Sequence, residues 1–395
     1  MGKTMKILVY RYGSICEPDV IQAFQSLGLT VIEEKTEITR KKLSAADRLL
    51  LVEPYLKAEQ LLFVFSINFY PVLAEICHIY RTRYLCWTVD SPVPELFSRS
   101  ICHETNHIFL FDRAQHQYFA PYNPEHIHYL PLASCTARLD QVTASVDRSD
   151  RHAFSPDISF VGSLYNEKNP LRRLKGLPDY AKGYIDALVG SALKIYGYNL
   201  IESAVTEELA HMVKACAADF YELAETVTSP DRYVTAHSYI GMQAAETERV
   251  RTLNTLARYF RVDLFTRSDT RQLQKVHVHN GVESLTEMPR IFHLSKINLN
   301  MTIKPIQTGL PLRIFDILGC GGFLMTNYQA ELPEYFEIGV DLEAYSSMEE
   351  LTDKCDYYLK HEDERKQIAL NGYRKVCEQH TYPHRMKAML ETLLS

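Results

Sequence analysis

Several things are scarce in this sequence, and each shortage excludes a class. Among 395 residues there is one tryptophan, Trp87. Nine cysteines are scattered from Cys16 to Cys377 with no CxxC pair. The odd number and the spacing argue against a disulfide framework and against a zinc knuckle. Free thiols suit a reducing compartment, so a cytoplasmic location is expected. Apolar runs such as Leu61 to Phe65 fall far short of the roughly 20 residues that span a bilayer. The stretch Ile7 to Tyr10 is too short for a signal-peptide core. Basic residues number 43 against 49 acidic, a net charge of −6. No basic excess advertises nucleic acid or an anionic membrane. No DxD motif is present to hold a metal-bound sugar diphosphate.

What is present is ordinary for a globular chain: 46% apolar and 23% charged residues. At roughly 150 residues per domain, the length predicts two or three domains. Tyrosine is abundant, with 25 copies, a weak pointer to polar pockets.

Short apolar runs alternate with helical stretches. Lys6–Tyr10, a Gly-containing loop, helix Pro18–Leu27, Gly28 and the run Thr30–Ile32 spell β-loop-α-β. Further strands are predicted at Arg48–Val52, Leu62–Ile67, Tyr84–Val89, Ile108–Phe111 and His128–Leu130, with helix at Val72–Tyr80. The segment 136–156 is polar and reads as a linker between domains 1–135 and 157–379. The α/β pattern restarts at Asp157–Gly162. Residues 170–260 read as mostly helical, with Val205, Leu209, Met212, Val213, Cys216 and Phe220 on one face. Strand-like runs resume at Val262–Thr266, Lys275–His279, Ile297–Met301 and Phe323–Thr326. Two doubly wound halves would bind ligands at the carboxyl ends of their strands.

Gly309–Asn327 (GLPLRIFDILGCGGFLMTN) resembles the donor-binding signature of GT-B glycosyltransferases of the group 1 superfamily, in the CgeB-like, spore-maturation-type branch. Tyr357–Val376 and His380–Leu390 fit the same pattern, as do Ser66–Cys77, Cys86–Pro94, Ile108–Arg113 and Asp157–Asn169. The resemblance implies two Rossmann-like domains facing a cleft, with a helical insertion in the C-terminal half. It also implies that 380–395 crosses back to the first domain. The expected activity is metal-independent, retaining transfer of a sugar from a nucleotide diphosphate, a UDP-sugar, to an acceptor hydroxyl. The acceptor would be a glycan, or a surface protein such as flagellin. No cofactor, nucleic acid or transmembrane segment is expected.

The donor site follows from the same motifs. A diphosphate favours a helix N-terminus and a cation. Gly309 and Pro311 precede a helix predicted near Leu312, with Arg313 in its first turn and Asp316 one turn later, at the family's ribose-binding position. The resemblance brings Gly162, Ser163 and Lys168 near the phosphates and Asn280 near the base. Arg267 is a second candidate cation, while Asn300 and Thr302 would line the sugar pocket. Eight residues before Asp316, where the family's retaining members usually carry an acid, stands Thr308. On the acceptor side the candidates are Asp90 and Asn68, each at a strand end. Asp90 occupies the end where related transferases keep a His or Asp beside the reacting carbon. A carboxylate there can accept a proton or stabilise an oxocarbenium-like charge, and Asp before Pro also forms plain turns.

Two motifs are set aside. His103–His107 spells HExxH, but His107 abuts a strand-like run, so no sustained helix carries both imidazoles. His277 and His279 alternate on one strand without a matching ligand set. Two other classes stay open. A nucleotide-sugar epimerase of this fold needs no acceptor, and a non-catalytic sugar-nucleotide-binding protein would suit the missing acid at Thr308.

Overall fold

The computed structural model describes residues 5–394. The chain divides into two compact units. The first comprises Met1–Leu132, Glu222–Pro230 and Thr381–Ser395; the second comprises Ala133–Tyr221 and Asp231–His380.

The first unit is built on strands β1 (Lys6–Tyr10), β2 (Thr30–Glu34), β3 (Leu61–Ile67), β4 (Tyr84–Trp87), β5 (Asn106–Leu110) and β6 (Ile127–Tyr129). All pair in parallel, in the order β2-β1-β3-β4-β5-β6. The interior strands are continuous apolar runs, as a sheet covered on both faces requires. Phe63, Val64, Phe65, Leu85 and Trp87 are fully buried. Helix Tyr382–Leu394 packs beside helix Glu17–Ser26 in this unit. Arg385 Nε anchors that terminal helix on the carbonyl of Pro131 at 2.8 Å, and Tyr382 meets the edge of the Trp87 ring.

The second unit repeats the plan with β7 (Ile158–Val161), β8 (Val262–Thr266), β9 (His277–Asn280), β10 (Ile297–Asn300), β11 (Leu324–Asn327) and β12 (Glu343–Tyr345). The order is β12-β11-β10-β7-β8-β9, again all parallel. Between β7 and β8 the chain forms a helical body with its own core of Ala181, Ile185, Val189, Leu209, Val213 and Tyr239. That body includes a π-helical turn, Val234–Ile240, running into helix Gly241–Leu256. Within it the segment Glu222–Pro230 leaves for the first unit, where Thr226 bridges Ser98.

Three sequence readings are corrected. Arg48–Val52 is not a strand but part of helix Ala45–Ala58. Ser44 and Asp47 form a reciprocal capping box there, and that start signal outweighs a short apolar run. Leu50 accordingly faces solvent. The 136–156 segment is no open linker. It folds as helices Thr136–Ala144 and Arg148–Ala153, and both pack on the second unit. Arg290 grips Asp150 at 3.0 Å, and Tyr373 donates to Asp140 at 2.9 Å. The helical face read from Val205 to Phe220 ends at Cys216.

No helix carries the HExxH pair: His103 follows a 3-10 turn and His107 lies inside β5. His279 is satisfied by Asp263 at 2.7 Å and stacks on Phe265.

Because the helical body has a packed core of its own, truncating it should be felt globally. Ile185→Ala is expected to cost about 2–5 kcal/mol, read as a lower urea midpoint. An unchanged midpoint would mean that this body does not share the cooperative unit.

Candidate active site

Each sheet has one place where its strand order reverses, and ligands of open parallel sheets bind outside the carboxyl ends at that place. In the second unit it lies between β7 and β10. The loops leaving these strands begin at Gly162-Ser163 and Met301-Thr302. Arg249, from helix Gly241–Leu256, joins them: its guanidinium donates to the carbonyl of Ser163 and, at 3.0 Å, to that of Met301. The same group lies 4.4 Å from the centre of the Tyr165 ring and 5.2 Å from that of Phe160. Arg249 is only 9% exposed, and burial lowers its pKa. Among the described residues it has no carboxylate at ion-pair distance, and its Nε has no partner. A buried cation without an ion-pair partner is costly, and the charges of Glu248 and Glu167 offset only part of that cost, so this corner can accept an anion.

Its neighbour Glu248 is also buried, with Oε1 unpartnered. Burial raises the pKa of its carboxyl group, while Lys304, Arg249 and an Asn327 hydrogen bond act the other way. The Tyr345 hydroxyl is buried and unpartnered as well. Lys304 donates to Ile195 O at 3.1 Å and lies over the Tyr196 ring.

Gly162, Ser163 and Thr302 meet around the Arg249 clamp. Asn300 and Thr302 face inward instead of lining an open pocket: Asn300 Nδ2 donates to Thr302 Oγ1 at 3.0 Å and to Thr326 Oγ1 at 2.9 Å. Thr302 N donates to Asn327 Oδ1 at 2.8 Å. Both side chains therefore position the loop. Thr308 donates to Glu331 Oε1 at 2.7 Å, so a carboxylate stands beside the position that lacks one. Gly309 O accepts from Gln329 Nε2 at 3.2 Å.

The helix after this loop spans Leu312–Gly319. Arg313, in its first turn, packs sideways with Nη1 2.9 Å from Met288 Sδ and its guanidinium over the Phe292 ring. Burial lowers its pKa, with Asp316 opposing. Asp316 is half-buried one turn on. Arg267, Asn280 and Lys168 stay exposed. Arg267 pairs with Glu283 at 3.0 Å, and Lys168 lies over the Tyr165 ring.

In the first unit the reversal lies between β1 and β3. Asn68 knots three strand ends there. Its Nδ2 donates to Asp90 Oδ2 at 2.7 Å and to the Tyr12 hydroxyl at 3.1 Å, while its Oδ1 accepts from Val89 N at 3.0 Å. Asn68 adopts φ 58°, a left-handed conformation that Asn tolerates better than most residues. Burial, and then the charge of Asp90, raise the pKa of Tyr12 and keep it a phenol. Asp90 itself is exposed, beside a cis Ser91–Pro92 bond. Tyr70 packs against Tyr10 and Tyr12, and Arg48 lies over its ring.

Sequence reasoning missed Arg249, Glu248, Glu331 and Tyr12. The first three come from elements remote in sequence. Tyr12 follows β1 as Asp90 follows β4, and that parallel was a usable signal.

Residues 247–391 match the family model described as glycosyl transferase-like, a span that opens at Thr247 and includes Glu248 and Arg249. The spore protein CgeB of Bacillus subtilis (strain 168) is 28% identical over 119 residues, 29% of this chain and 35% of that protein. The fold resembles that of Anabaena HepE solved with UDP and glucose, with a TM-score of 0.54 at 13% identity over 98% of this chain and 99% of that one. It also resembles sucrose-phosphate synthase of Thermosynechococcus elongatus, with a TM-score of 0.55 at 8% identity over 99% of each chain. At such identities the likeness is one of fold. Residues 247–391 thus match a glycosyl transferase-like family model, and the architecture of nearly the whole chain is that of the GT-B fold.

Proposed function

We propose that the protein transfers a sugar from a nucleotide diphosphate donor, a UDP-sugar, to an acceptor hydroxyl on a surface glycan or surface protein. The observation that carries this reading is Arg249: a buried guanidinium without a carboxylate partner, at the strand-order reversal of the second sheet. A diphosphate is a natural counter-charge for it. The N-terminus of helix Leu312–Gly319 adds backbone N–H groups and the positive end of a dipole. Asp316 would accept the ribose hydroxyls. Glu331, held by Thr308, would stand in for the acid that retaining relatives carry eight residues earlier, so we assign a retaining outcome. The HepE structure with UDP-glucose supports the donor class.

In this reading Asp90 serves the acceptor side. Asn68 fixes one of its oxygens and leaves Oδ1 open among the described residues. An exposed carboxylate held in this way can take the proton of an attacking hydroxyl or stabilise positive charge on the sugar. The cations of the second unit would neutralise the leaving diphosphate without a metal.

Incubation with a panel of nucleotide sugars tests the class. Slow release of UDP from one donor is expected, undiminished in chelator. Interconversion of donors would make the protein an epimerase, and a loss restored by manganese would overturn the metal-free assignment.

Arg249→Gln and Asp316→Ala should each weaken UDP binding about tenfold or more, equivalent to about 1.4 kcal/mol. Calorimetry on the folded variants reads this directly, with Arg249→Gln also lowering the thermal midpoint because its clamp is lost, and unaltered affinity in both would remove the donor-site assignment.

Asp90→Asn should slow turnover about 10²–10⁴-fold while UDP affinity holds. Wild-type turnover in that variant would take Asp90 out of the mechanism.

A further inference from the structure

At the opposite edge of the first sheet from Asp90 lies a cavity of about 1100 Å³. It sits at the amino ends of β4, β5 and β6, lined by Arg83, Thr105, His107, His126 and His128. His78 and Arg81, from the end of helix Pro71–Ile79, complete the wall. From this geometry we infer that the cavity is a second binding site, for a small molecule carrying a phosphate group.

Four observations converge on it. Arg81 and Arg83 have neither a hydrogen bond nor an ion pair for their guanidinium groups among the described residues. Arg81 moreover occupies φ 50°, a left-handed position where a helix end ordinarily carries glycine. Its N–H and that of Thr82 close the helix on the carbonyls of His78 and Cys77, which blunts the negative end of that helix. An arginine at this strained position presents its charge to the cavity.

Unused hydrogen-bonding atoms form the second observation. His78 Nδ1, His126 Nδ1 and Thr105 Oγ1 are buried without a partner. Buried polar atoms are normally paired, and a phosphate-type ligand accepts several hydrogen bonds at once.

Third, the imidazoles are crowded. His107 Nδ1 lies 3.4 Å from His128 Nε2, His126 meets the His107 ring edge-on at 5.0 Å, and His78 stacks on His103 at 4.0 Å. Burial, and then the electrostatics of His126 and the neighbouring rings, with Arg83 acting on His107, hold the pKa values of His107 and His128 down to about 4. An anion in the cavity beside the rings would favour their charged forms and raise both values. Binding would therefore take up protons. Without an anion the same rings cost stability as the pH falls through about 6.5 towards 4, because the unfolded chain binds those protons more readily.

Fourth, the charges facing the rings leave room for an anion. Glu104 and Glu125 also line the cavity, exposed as Arg81 and Arg83 are. Glu75 lies 2.9 Å from His103. His116, which faces His128 electrostatically, lies within reach of the Ile127 carbonyl. With neutral rings Arg81 and Arg83 offset Glu104 and Glu125; each imidazole that gains a proton turns the cavity positive. The volume exceeds the need of inorganic phosphate and suits a phosphorylated small molecule.

The experiment follows the histidine ring signals of the full-length protein by NMR, from about pH 8 to about pH 4. The protein is saturated with UDP, so that the donor site is filled. Variants His107→Gln and His128→Gln assign the signals. Inorganic phosphate should raise the apparent pKa of both rings by about one pH unit, and chloride at equal ionic strength should not. In Arg81→Ser/Arg83→Ser the phosphate effect should vanish while UDP-sugar turnover and the thermal midpoint stay unchanged. An equal effect of chloride, persistence in the double variant, or absence of any phosphate effect would each overturn the site. Movement of both rings by zinc alone would make it a metal site and equally refute the proposal.

Discussion

The second unit depends on one buried cation. Two parallel strands that diverge at a reversal of order leave two loops with no backbone ladder between them. Arg249 replaces the missing ladder with hydrogen bonds to Ser163 O and Met301 O. A lysine carries the same charge but lacks the planar fork that reaches two carbonyls at once. The Tyr165 and Phe160 rings offset part of the desolvation cost through their faces. The clamp also explains why the helical body between β7 and β8 is more than an insertion. Helix Gly241–Leu256 carries Arg249, and the body braces the loop after β10 from several directions. Asn199 Nδ2 donates to Lys304 O, Lys304 Nζ donates to Ile195 O, and Gly241 leaves space for Pro305, whose Cγ would stand 2.8 Å from an added Cβ. A substituent at Gly241 would therefore press on the loop that leads to Thr308 and Gly309.

The abundance of tyrosine acquires a partial explanation from the first unit. Tyr10, Tyr12 and Tyr70 gather at the carboxyl ends of β1 and β3, and Tyr84, from the start of β4, reaches them with its hydroxyl. Tyr84 OH pairs with Ser66 Oγ at 2.6 Å and accepts from Tyr70 N at 3.0 Å, while Tyr10 donates to Glu37, which also holds Arg48. Phenols bring apolar bodies and polar tips to a place where strand ends need both. Asn68 and Asp90 are thus held by a rigid aromatic base rather than by flexible loops.

Much of the fold was legible because parallel strands buried on both faces are written as short apolar runs. KILVY, LLFVFSI and DISFVG all mark strands correctly. The same rule fails at Leu49-Leu50-Leu51, where the Ser44–Asp47 capping box decides for helix. It fails differently at 136–156, because small amphipathic helices with few large apolar residues look like a linker until their docking partners are known. The site was legible only where a motif is local, as at Gly309–Asp316. Arg249 is 86 positions from Ser163 and Glu331 is 23 from Thr308, and no periodicity connects such pairs. Arg313 misled for a related reason: its place in the first turn is local, but its direction is set by Met288 and Phe292 on another helix.

A chain of net charge −6 gains no long-range attraction for a diphosphate and must rely on fixed local charges. At physiological ionic strength the Debye length is about 8 Å, so a few buried cations outweigh the acidic surface within a closed site. Arg249 meets that condition because burial removes screening, and because among the described residues no carboxylate competes for it at ion-pair distance. The exposed Arg267 does not, since Glu283 already accepts its hydrogen bond and solvent screens both. Lys168 is exposed in the same way. Burial, rather than number of basic residues, therefore selects which cation of this sheet can define an anion's position. That criterion favours Arg249, which sequence position alone gave no reason to choose; Arg313 is desolvated by burial too, but its guanidinium is turned towards Met288 and Phe292.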